Sequence, residues 1–125
     1  MSPEKDKALV AKYPMIFDPQ TPKQVHYEMF GFECGDGWFD IIDKLCEELM
    51  VHWELHPDDT PPVAMQVKEK FGTLRFYVDS ATDAQYELIT RAEHKSESTC
   101  EVCGAPGKLD GSRSWIKTLC AEHSK

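Results

Sequence analysis

Three cysteines and a histidine near the end of the chain restrict its fold more than any other feature. Cys100-Glu101-Val102-Cys103-Gly104 sets two thiols three residues apart on a tight turn, with a glycine free to relieve the backbone behind them. Cys120-Ala121-Glu122-His123 follows, so the full pattern is C-x₂-C-x₁₆-C-x₂-H. Four soft or borderline donors in two close pairs suit one tetrahedral Zn2+. Because four protein ligands leave no position for water, the pattern speaks for a structural ion rather than a catalytic one. A stretch this short and this poor in apolar residues cannot be stabilised by burial alone, so the ion is expected to fold it.

Between the pairs, Lys108-Leu109-Asp110-Gly111 and Ser114 to Leu119 read as a hairpin turning at Asp-Gly. The segment resembles a zinc ribbon or knuckle. The polar run Lys95 to Thr99 marks a boundary, dividing the chain into an α+β domain over 1–97 and a zinc-binding module over 98–125. The two remaining cysteines, Cys34 and Cys46, belong to neither pair and read as small buried hydrophobes. An odd number of cysteines, with a charged N-terminus that lacks the apolar stretch of an export signal, favours metal ligation over disulfides and a cytoplasmic location.

The rest of the chain reads as three or four helices around an antiparallel β-hairpin. Trp38, Ile42, Leu45, Leu49 and Trp53 recur at helical spacing, with Asp36 as the expected cap. A helix over Pro3 to Lys12, a short helix from Pro22 to Phe30 capped by Thr21, and a helix from Ser80-Ala81-Thr82-Asp83 to about Lys95 complete the helical set. Val63, Met65 and Val67 alternate, as do Leu74, Phe76 and Val78, and the two runs meet at Phe71-Gly72. Glycines among aromatics and acids from Phe30 to Trp38 read as a tight loop leading into the long helix.

Charge is unevenly distributed. Of 22 acids and 14 bases, ten acids and one base, Lys44, lie between Glu28 and Asp59. Asp40, Asp43, Glu47 and Glu54 fall on one helical face and form an expected acidic ridge. A field of that sign repels nucleic acid and attracts a basic protein surface. On the zinc module Lys108, Arg113 and Lys117 are balanced by Glu101, Asp110 and Glu122, which gives an adaptor that contacts nucleic acid or protein through this module little support.

Two further metal readings come from the long helix. His52-Trp53-Glu54 with Cys100 and Cys103 has the outline of the H-x-E…P-C-x-x-C signature of zinc deaminases, in which the Glu moves the proton, and so opens the alternative of a metal-dependent enzyme, deaminase- or nuclease-like, using His52 and Glu54. Thr99 stands where that signature has proline, and Cys120 and His123 would have no role. Glu48, His52 and His56 share helical spacing, but Pro57 is expected to turn His56 away and leave a solvated face.

Phe30 to Leu49, Val67 to Val78 and Cys100 to His123 together resemble a group of small uncharacterised bacterial and phage or prophage proteins carrying a C-terminal CxxC…CxxH knuckle. The resemblance implies no enzymatic activity. It points to a mobile-element origin, where small acidic proteins often bind and inhibit a host factor, such as one that handles nucleic acid or mounts defence.

Overall fold

The structure, a computed structural model, describes residues 1–17, 31–59, 61–112 and 114–124. The expected helix from Pro22 to Phe30 lies outside the described residues. The described chain is α+β, with three α-helices and two small sheets.

Helix α1 spans Pro3–Lys12. Ser2 caps it, its hydroxyl accepting from the Lys5 N–H at 3.3 Å, and proline occupies the first turn, where no N–H is needed. The long helix α2, Phe39–Leu55, follows a single 3₁₀ turn at Asp36–Trp38. Asp36 is not its cap, because its carboxylate accepts the Ser2 N–H at 2.8 Å and so joins the starts of the two helices. Helix α3, Asp83–Ser96, is capped by Thr82, two residues later than the expected Ser80. Thr82 forms the capping box with Gln85: its hydroxyl accepts the Gln85 N–H at 3.2 Å, and the Gln85 side-chain oxygen accepts the Thr82 N–H at 2.9 Å.

Strands β2 (Ala64–Lys70) and β3 (Thr73–Val78) pair antiparallel through the two-residue turn Phe71-Gly72. Both turn residues are left-handed, φ +53° and +84°, which matches the twist of the strands. The Glu69 carboxylate accepts the Gly72 N–H at 2.7 Å and holds the turn. A register shift between Ala64 and Gln66 changes the expected alternation, so Ala64 and Val67 are buried instead of Met65 and Val67. On β3, Leu74 and Phe76 face inward as expected. The short strand β1, Phe32–Glu33, adds parallel to β2, with Phe32 opposite Val67.

One core joins these elements. Leu9, Ile16, Phe17, Trp38, Ile42, Leu45, Leu49, Val67 and Leu74 are buried together, and Phe17 meets the rings of Phe32 and Phe76 edge-on at 5.3 and 6.4 Å. Cys34 and Cys46 lie in this core, as expected. Burial pushes the Cys34 thiol up to about 12 and the Cys46 thiol well above its ordinary value, so neither is poised to react.

Strands β4 (Lys108–Asp110) and β5 (Lys117–Leu119) form the second sheet. Asp110 pairs with Lys117, so the connection is longer than the expected Asp-Gly turn. The Asp110 carboxylate instead accepts the Ser112 N–H at 3.0 Å, closing a local side-chain turn that competes with a hairpin. Residues on either side of the expected boundary after residue 97 are bonded to each other. The Trp38 indole N–H donates to the Thr99 carbonyl at 2.9 Å, the Gly37 N–H to the Glu101 carbonyl at 2.7 Å, and the Thr118 hydroxyl to the Gly72 carbonyl at 2.7 Å. Among the described residues no helix is long and apolar enough to cross a membrane.

Candidate metal centre

Local backbone geometry brings Cys100 and Cys103 to one point. The Gly104 N–H donates to the Cys100 carbonyl at 2.9 Å, closing the turn, and Gly104 has φ +83°, a conformation costly for any side chain bearing a Cβ. The Cys100 N–H donates to the Ala105 carbonyl at 2.7 Å, and the Glu101 N–H to the Thr118 carbonyl at 3.0 Å, which places the turn beside the end of β5. Cys120 directly follows that strand. The Ser124 N–H bonded to the Cys120 carbonyl at 3.0 Å folds the chain back so that His123 faces the thiols.

The result is a four-residue cluster of Cys100, Cys103, Cys120 and His123, whose donor atoms all lie within 4.8 Å of one another. The Cys103 and Cys120 sulfurs are 3.7 Å apart, and His123 Nδ1 is 3.7 Å from the Cys100 sulfur and 3.1 Å from that of Cys120. Donors around a tetrahedral ion with bonds of about 2.3 Å to sulfur and about 2.0 Å to nitrogen are separated by about 3.5–3.8 Å. Two of the three distances fall in that range and the third, 3.1 Å, is shorter, so the donors are gathered closely enough for such an ion and their chemistry suits it.

The electrostatics favour thiolates. Burial opposes ionisation of Cys100, yet N–H groups of Cys120, Cys103 and Val102 aimed at its sulfur bring it down to about 6. An N–H from His123 lowers Cys120 as well. Cys103 receives an N–H from Ala105, but burial and the neighbouring sulfurs outweigh it and raise the group. His123 is raised by its bond to Cys120. An ion binding here would displace protons and take up the negative charge that the three sulfurs otherwise impose on one another.

The Gly35 to Trp38 loop supports the cluster from outside. A Cβ on Gly37 would stand 2.1 Å from the Cys100 carbonyl oxygen, so only glycine lets the loop lie against the Cys100-Glu101 backbone. Sequence reading took this loop as a lead into α2 and missed its second task. Glu101 was also underread. It is 8% exposed, accepts the Gly35 N–H at 2.9 Å, and meets Lys117 at 3.5 Å, while Lys117 also reaches Glu69 at 3.7 Å. The charges that seemed available on this segment are partly spent holding it to the β2–β3 turn.

The remaining candidates do not join this cluster, and His56, which Pro57 was expected to turn away, instead stacks on His52 with the ring centres 4.5 Å apart. Among the described residues His52 groups with His56 and Asp59, separately from the Cys100-Cys103 pair, whose two partners are Cys120 and His123, so the deaminase-like arrangement is not assembled. Asp40, Glu47 and Glu54 are exposed on α2. Asp43 shares their face but accepts the Tyr13 hydroxyl at 2.6 Å and Lys12 at 3.0 Å, because α1 packs across that part of the ridge. No family model, curated protein or solved structure matches the chain.

Proposed function

We propose that this chain is a zinc-stabilised, non-enzymatic binding protein that engages a basic partner protein through the exposed acidic face of α2. The observation that carries the reading is the composition of that face. Asp40, Glu47 and Glu54 point outward without ion-pair partners among the described residues, and Val51, on the same stripe, is 50% exposed, with Leu55 beside it at 72%. Exposed apolar side chains ringed by like charges have the make-up of an interface with an apolar anchor and a charged rim. The saturated donor set at Cys100, Cys103, Cys120 and His123 supports a structural role for zinc. The partner would be a cytoplasmic factor, of the kind a phage or prophage protein directs at host nucleic-acid handling or defence.

A second reading has its own observation. Phe71 and Trp115, 67% and 71% exposed, flank a groove between the β2–β3 turn and the β4–β5 connection. Here the metal-bearing segment acts as an adaptor and binds through aromatic anchors.

Affinity purification from the native host, repeated with the D40K/E47K/E54K variant and with Trp115→Ala, separates the readings. The first expects a basic partner whose association slows by about tenfold or more on charge reversal and weakens as salt rises. Circular dichroism should be unchanged, since such surface changes alter stability by within about 0.5 kcal/mol each. Binding indifferent to salt and to the reversal, but lost with Trp115→Ala, would replace the acidic face with the aromatic groove.

A further inference from the structure

Helix α2 ends in a pair of stacked histidines. His56 caps the helix, its backbone N–H shared between the His52 and Trp53 carbonyls at 3.1 Å each, and its ring lies 4.5 Å from that of His52 with the planes 25° apart. The chain then turns sharply. The Asp59 N–H donates to the His56 carbonyl at 3.0 Å, and the Trp53 indole N–H donates to the Asp59 carbonyl at 3.2 Å, which pins Asp59 beside the two rings. One donor atom from each of His52, His56 and Asp59 lies within 4.8 Å of the other two.

We propose that His52, His56 and Asp59 bind a divalent transition-metal ion of the borderline class, such as zinc or nickel, at a site separate from the Cys/His cluster. Two imidazoles and a carboxylate are a donor set suited to these ions. His56 is already arranged for it. Its Nδ1 is 3.0 Å from the His52 carbonyl, and donation there leaves Nε2 with the lone pair, the usual orientation of a metal-binding histidine with its second nitrogen anchored.

His52 supplies the second observation. Its Nδ1 is shielded from solvent and has no hydrogen-bond partner among the described residues. Proteins seldom leave such an atom unpaired without a use for it. A metal ion lies in the plane of each imidazole that binds it, and two rings stacked 25° apart share no such point within bonding reach. One ring must therefore turn. His52 is the ring that turns, because its Nδ1 has no bond to lose while that of His56 is held by a carbonyl. Three protein donors leave at least one position open, so this ion exchanges more readily than one enclosed by four.

The test uses the full chain preloaded with one equivalent of zinc to fill the Cys/His cluster, then titrated with Ni2+ by calorimetry. A second equivalent is expected, weakened by at least about tenfold in both His52→Ala and Asp59→Asn, since losing even an outer-shell partner of a metal ligand costs about 10–100-fold in affinity. Paramagnetic Ni2+ or Co2+ should broaden the ring signals of His52 and His56 first, and the second equivalent of Co2+ should add no thiolate-to-cobalt absorption. Asp59→Asn keeps the backbone bonds of the turn, so it reads the site even if His52→Ala disturbs the helix end. A stoichiometry that stays at one, or a second equivalent that both variants bind as tightly as the parent, overturns the proposal.

Discussion

The body of the protein and its Cys/His end differ in what they bury. In the body, side chains from α1, α2, α3 and the β1–β3 sheet share one apolar core, and Trp38, Ile42 and Leu49 are fully buried. At the other end the buried cluster is Cys100, Leu119 and Cys120, two of which are candidate metal ligands, while Val102, Leu109 and Trp115 are exposed. Burial contributes roughly 25 cal/mol per Å² of apolar surface, and the Cys/His end hides too little for that to order it. The difference teaches where metal dependence should stop. It should reach the bonds from Thr99, Glu101 and Thr118 to the body, but not the core behind them.

The largest effect is expected at the Cys/His cluster, on the proposal that it holds zinc. With strong chelator, or with Cys103→Ser, elemental analysis should fall from one tightly held zinc per chain to none, and amides of Cys100, Glu101, Gly104 and Gly107 should lose protection from hydrogen exchange. Amides of α2 such as Leu45 and Leu49 should stay protected. Equal loss in both regions would break the comparison and make the chain one cooperative unit.

Next come two core truncations that separate the regions. Trp38→Ala should cost about 3–5 kcal/mol in denaturant unfolding, and Leu49→Ala about 2–5 kcal/mol. Only the first removes a bond to the Cys/His end, that of the Trp38 indole to the Thr99 carbonyl, so only the first should speed metal loss to a chelator.

The smallest effect concerns how α1 is held to α2 inside the body. Burial alone would raise the Asp43 carboxyl, but bonds from Tyr13 and Lys12 outweigh it and hold it below its ordinary value of 3.8. A carboxyl depressed in the folded state contributes stability above its unfolded value, and that contribution fades as pH falls through the lower folded value. Lys12 is 58% exposed, so solvent screens its share and the Tyr13 bond matters more. Asp43→Asn should cost about 1 kcal/mol at neutral pH and flatten the acid limb of the stability profile below about pH 4.

Local chemistry was readable in the chain. The apolar stripe of α2, the turn at Phe71-Gly72 and the two ligand pairs each rest on residues close in sequence, whose spacing maps directly onto helical or turn geometry. Even there, neighbours corrected the detail: Thr82 took the cap expected of Ser80, and the bulge near Met65 moved Ala64 into the core. Only the tertiary structure decided that β1 joins β2 in parallel, that Gly37 exists to admit the Cys100 carbonyl, that α1 occupies Asp43, and that Asp59 completes a histidine pair. The physical reason is the same in each case. Spacing along a chain specifies which way a side chain points on its own element, whereas its partner depends on how elements far apart in sequence pack.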